Sequence, residues 1–107
     1  MDRQAFEDFL QSIDLMTIDK MVFLYETDKD KGFMAVKYVL DSAKKLGSVG
    51  ERRIALENLL DNLSEVGLFL SSELICLADK AFGNLKDKYE QELIDYFKEH
   101  LTMSCEE

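Results

Sequence analysis

The sequence predicts an all-α protein, a compact bundle of four to five helices with an antiparallel helical hairpin around residues 44–53. Three observations carry that expectation. No proline occurs in the 107 residues, and proline is the residue that most often ends or kinks a helix. Apolar residues recur at spacings of three and four, which gathers them on one helical face. No segment shows the sustained apolar–polar alternation of a half-buried strand. The length suits one domain, residues 1–107, with 102–107 expected as a frayed tail.

The elements follow in order. Helix A is expected from about Asp2 to Ile13, because Phe6, Phe9, Leu10 and Ile13 share a face and Asp2 can cap its start. Helix B is expected after Thr17, with Asp19 in its first turn and Ile18, Met21, Val22 and Tyr25 as its stripe. The segment TDKDKG breaks the pattern, and helix C resumes near Asp30 with Phe33, Val36, Leu40 and Ala43 aligned. Lys44 and Lys45 in the last turn and Gly47 as a left-handed cap are expected to stop it. Ser48 and Glu51 have the spacing of a capping box for helix D. Leu56, Leu59, Leu63, Val66 and Leu70 form the seam of helix D. Helix E is expected from a Ser71 or Ser72 cap to about Leu101, with Ala78, Phe82, Leu85, Tyr89, Leu93 and Phe97 turned inward.

Charge narrows the function classes. The 22 acids and 13 bases give a net charge of −9. That field disfavours direct nucleic-acid binding, which needs cationic groups on phosphates, and disfavours anionic membranes. It suits a protein partner with a basic surface. The acidic, amphipathic start MDRQAFEDFL reads as a helix rather than a secretory leader, and two cysteines make no disulfide framework, so a cytoplasmic location is expected.

Candidate sites are few. Glu26, Asp28, Asp30 and Gly32 resemble a calcium loop, but in neither register do the ligands, the glycine and the closing glutamate fall in place. These acids are expected to form a solvated junction, with Asp28 or Asp30 capping helix C. His100 has no second histidine with which to hold a metal and reads as a surface group near a helix end. Cys76 lies in the apolar run ELICLADKAF and is expected to be a buried, inert thiol; Cys105 is expected to be exposed. No catalytic residues, metal ligands or cofactor are expected, and the chain reads as a non-enzyme.

Two surfaces are less routine. Glu92, Asp95 and Glu99 fall on one helical face with Tyr96 at its border, an arrangement that suits a basic partner and is otherwise a solvated face. Lys44, Lys45, Arg52 and Arg53 gather as a basic corner at the hairpin and can receive an acidic segment. The expected function is a small acidic interaction, regulatory or inhibitor protein that binds another protein. The alternatives are a homodimeric helical module and a bundle that binds a small molecule.

Overall fold

The computed structural model describes residues 1–25 and 27–101. It is all-helical, as expected. Five α-helices, α1 (Arg3–Asp14), α2 (Lys29–Ser48), α3 (Arg52–Val66), α4 (Ser72–Phe82) and α5 (Lys88–Lys98), enclose one core. Phe6, Phe9, Leu40, Leu56, Leu59, Leu63, Phe82 and Phe97 are among its fully buried side chains. The helices α2 and α3 pack as the antiparallel hairpin, α1 lies along α4, and α5 closes against α3 and α4. No described helix is long and apolar enough to cross a membrane. Residues 102–107, including Cys105 and the expected tail, lie outside the described residues.

Helix α1 forms for the reasons its sequence shows. The Asp2 carboxylate accepts from the Ala5 amide at 3.0 Å, and Ala5, Phe6, Phe9, Leu10 and Ile13 are buried. Likewise, Asp28 caps α2 by accepting from the Asp30 and Lys31 amides. Asp28 and Asp30 therefore serve a helix start, and Glu26 lies outside the described residues.

Helix B does not form. Ile18–Lys20 make only a single 3-10 turn, and the chain then extends. The Leu24 amide donates to Gly67 O at 2.7 Å and the Phe69 amide to Val22 O at 2.9 Å, pairing the segment with the chain that follows α3. Met21 is buried and Phe23 half-buried, while Val22 and Leu24 are exposed. That period of two is a strand's period, and it competes with the three-and-four reading of the same apolar residues.

The corner of the hairpin differs from its expected chemistry. α2 runs through Gly47 to Ser48, and the Ser48 hydroxyl donates back to Lys45 O at 2.7 Å. The residue preceding α3 is Glu51, which makes no side-chain cap. Gly47 instead lets the helix pack closely on α1: a Cβ there would meet the Phe6 ring at 3.0 Å, a tight contact that the ring would have to yield to.

Two glycines end helices that the periodicity carries onward. Gly67 (φ +83) caps α3 in the left-handed region, which favours glycine. Leu70 consequently leaves the seam, although it stays buried and bridges to Leu101. Gly83 (φ +89) stops α4, and Asp87 starts α5 with a capping box closed by Glu90. The expected helix E is therefore two helices. Leu85, in the break, is exposed rather than inward, and Tyr89 is also exposed.

Candidate functional site

The break at Gly83 has a consequence for charge. It lets the first turn of α5 face the first turns of α3. Asp87 Oδ1 accepts from the Glu90 amide at 2.8 Å, and Glu90 Oε1 accepts in return from the Asp87 amide at 3.1 Å. The same Glu90 oxygen also accepts from Arg53 Nη1 of α3, while Arg53 Nη2 donates to Phe82 O at 2.8 Å. Arg53 thus ties α3 to both the end of α4 and the start of α5. Its guanidinium carbon lies 5.8 Å from the centre of the Phe82 ring.

Glu90 is the only fully buried charged side chain among the described residues. Its second oxygen, Oε2, is buried and receives no N–H donor; the Glu57 carboxyl is the remaining group that hydrogen-bonds Glu90. Glu57, one turn beyond Arg53 on α3, completes the group: oxygens of Glu57, Asp87 and Glu90 all lie within 4.8 Å of one another. The charges press on each other. A hydrogen bond to Glu90, burial, and the charges of Glu90 and Asp87 push the Glu57 carboxyl up to about 7. For Glu90, burial acts upward, but hydrogen bonds from Glu57 and Arg53 outweigh it and hold the carboxyl below its usual value. One proton between the two carboxyls, carried on Glu57, satisfies this arrangement near neutral pH.

Sequence reasoning missed the cluster. Glu57 and Glu90 are distant in the chain, and Asp87 and Glu90 were read inside a continuous helix. The detectable signal was local: Asp87 and Glu90 have the Asp-x-x-Glu spacing of a capping box.

The four bases of the expected corner do not stay together. Lys44 pairs with Asp14 of α1 at 3.1 Å, and Arg53 turns to Glu90. Lys44 and Arg52 line an open groove of about 380 Å³ together with Arg3, Phe6 and Leu10. Lys45 is exposed. The corner divides because successive helical residues point about 100° apart and face different helices.

Glu92, Asp95 and Glu99 are exposed at α5, and none forms an ion pair among the described residues. Tyr96 is half-buried and turned inward. Its ring stacks on His100 at 4.2 Å between centres, and burial together with Tyr25 raises its phenol above the usual range. His100 is not the solvated group expected. Phe69 covers it at 6.1 Å, and its Nδ1 lies 2.8 Å from Tyr96 O. Cys76 is also corrected: it is exposed, because Ile75, Ala78, Ala81 and Phe82 form the inner face of α4.

No protein-family model matches the chain, no curated protein matches it in sequence, and no solved structure matches its fold.

Proposed function

We propose that this protein acts by binding another protein and carries out no reaction of its own. One observation supports this most directly. Met34 and Tyr38, one turn apart on α2, are 66% and 75% exposed. They line an open groove with Asp14, Lys37, Leu40, Asp41 and Lys44. Large apolar side chains rimmed by charge are the usual composition of a protein-binding surface. The helix that bears them carries five lysines and two aspartates, so its partner is an apolar segment flanked by acids. The exposed row Glu92, Asp95 and Glu99 offers a second surface, suited to a basic partner such as the one an acidic inhibitor or regulator would engage.

The same charge division favours a second reading, the homodimer. A lysine-rich α2 in a chain of net charge −9 complements the acidic α5 of another copy.

A photo-crosslinking amino acid in place of Tyr38, with a second one in place of Glu92, tests both readings in the native cell. A single crosslinked protein at Tyr38, lost when Met34→Asp is added, supports the first reading. A crosslinked pair of identical chains supports the second. Absence of any crosslink at both positions removes protein binding as the function.

A further inference from the structure

We propose that the groove between α1 and the α2–α3 corner binds the carboxylates of an acidic segment of the partner, whose apolar anchor sits beside it on Met34 and Tyr38. This rests on the reading of α2 as a protein-binding surface. It adds where the partner's acids go and how far they lie from its anchor.

The chain has three arginines, and the fold divides them. Arg53 is engaged by Glu90 and Phe82 O. Arg3, the first residue of α1, and Arg52, the first residue of α3, line one open groove of about 380 Å³. Neither has an ion pair among the described residues. Arg52 Nε is shut off from solvent and meets no acceptor, the kind of donor that a bound acceptor would satisfy. Glu7 lines the same groove and pairs with neither arginine. A guanidinium presents its donors as a planar fork that matches a carboxylate, and here two of them come to one groove from two helices.

The groove adjoins the one that Met34 and Tyr38 line, and Asp14 and Lys44 belong to both. Those two pair with each other at 3.1 Å, so the shared wall is close to neutral. Together the grooves are lined by four bases, Arg3, Lys37, Lys44 and Arg52, against the acids Glu7, Asp14 and Asp41. A local positive surplus in a chain of net charge −9 selects an acidic partner segment. Glu7 and Asp14 repel a doubly charged phosphate more than a singly charged carboxylate, which favours Glu or Asp side chains as the occupants.

The helix sets the spacing. Tyr38 lines one groove and Ser48 the other, ten residues further along α2, or about 15 Å at the rise of a helix. An extended chain covers that distance in about four or five residues. The partner segment therefore carries a large apolar residue and, about four or five residues away, a pair of acids.

Fluorescein-labelled peptides on the full chain test this, each with one Trp and one Glu-Glu pair separated by one, four or eight serines. Anisotropy at low salt should show saturable binding, tightest at the middle spacing and absent when Gln-Gln replaces Glu-Glu. Arg3→Gln and Arg52→Gln should each weaken it about tenfold, with unchanged melting curves verifying the fold. Met34→Asp should abolish it. Lys98→Gln, which removes a cation that lines neither groove, should leave it intact. Binding that both arginine variants leave unchanged overturns the acid-binding groove, and its loss in Met34→Asp alone would keep the protein-binding surface standing. An equal loss in Lys98→Gln, or tighter binding when phosphoserines replace the glutamates, also overturns it. So does the absence of binding by every peptide, in which case the Tyr38 crosslink decides separately whether α2 binds a protein.

Discussion

Asp14, at the end of α1, and Glu90, in the first turn of α5, each take a basic group from another helix. Lys37 and Lys44 of α2 reach Asp14 at 3.4 and 3.1 Å; Asp14 and Lys44 are exposed and Lys37 is half-buried. Arg53 reaches a Glu90 that is fully buried. The chemistry is alike and the surroundings are opposite. At Asp14, water can replace either lysine at little cost, so the pairs tune where α1 meets α2 without holding it. At Glu90, the carboxylate is itself buried, so losing Arg53 would leave it without its charged partner and the pair must stay made. Protons show the same contrast. Hydrogen bonding and charge from Lys44, with help from Lys37, hold the Asp14 carboxyl below its usual range. Glu57, crowded by Glu90, lies above its own. Lysines answer the carboxylate in one cluster, and a proton shared with Glu57 helps to do so in the other.

The largest expected break of this comparison is Arg53→Ala. It strands the Glu90 carboxylate in the core and removes the donor to Phe82 O. A loss of about 3 kcal/mol is expected, the low end for breaking a buried pair because Arg53 itself reaches solvent. Urea denaturation measures it. Adding Glu90→Leu to the same chain should restore most of the loss, since an apolar side chain leaves no buried charge. If Arg53→Ala melts like the parent, the Glu90 site is as wet as the Asp14 site and the contrast fails.

Gly83→Ala is next. Gly83 combines φ +89 with ψ −168, a region open almost only to glycine, where another residue costs about 1–3 kcal/mol. Space is not the obstacle, because a Cβ there meets nothing within 4 Å. The strain should therefore appear as backbone cost alone, about 2 kcal/mol in thermal or urea unfolding. A neutral result would mean that α4 can run on past Phe82, and that the delivery of Asp87 and Glu90 to α3 does not depend on this break.

A third variant separates the two clusters by pH. Glu57 binds its proton more tightly folded than unfolded, because about 7 stands above the ordinary value of 4.5. The associated stability is fully present below pH 4.5 and is lost as pH rises through about 7. Glu57→Gln should flatten that slope and gain about 1 kcal/mol at pH 8, a reduced figure because Glu57 reaches solvent. Melting curves from pH 4 to 8 check it. A slope that survives the substitution belongs to another group.

How much of this was legible in the sequence depends on whether the determinants were local. Helix α1 was readable because its cap, Asp2, and its stripe, Phe6 to Ile13, lie within one short window. The α2–α3 hairpin was readable from spacing, although its capping chemistry was not: Ser48 has the right spacing to Glu51 but remains in α2 and bonds backward to Lys45. The α4–α5 pair departs from the expected single helix because apolar positions on both sides of Gly83 keep one helical period, so only the glycine's backbone conformation and the Asp87–Glu90 capping box mark the break. Residues 21–25 were misread because the same apolar side chains satisfy a period of two as well as one of three and four, and Gly67, distant in sequence, supplies the pairing that decides. The Glu57, Asp87 and Glu90 cluster depends on all of these placements at once. Its local half, the Asp87–Glu90 box, was present in the sequence, while the approach of α3 is tertiary.

The smallest expected effect sharpens the comparison from its other side. Asp14→Asn removes the charge that Lys37 and Lys44 share, but it leaves Lys37 Nζ donating to the Asp14 backbone carbonyl at 2.7 Å. Asp14 and Lys44 are exposed and Lys37 is half-buried, so neither lysine is stranded when the carboxylate goes. The pH sign is opposite to that of Glu57. The Asp14 carboxyl lies below its ordinary value of 3.8, so its contribution is present above pH 3.8 and disappears as pH falls through the lower folded value. At pH 7 and low salt, Asp14→Asn should lower the melting temperature slightly, and the difference should vanish when added salt shortens the Debye length to about 3 Å, near 1 M. As pH falls below 3.8 and through the lowered folded value, the variant and the parent should converge even without salt. A difference that persisted in 1 M salt would mean that Asp14 holds α1 against α2 by more than exposed charge, and the contrast with Glu90 would then be one of degree.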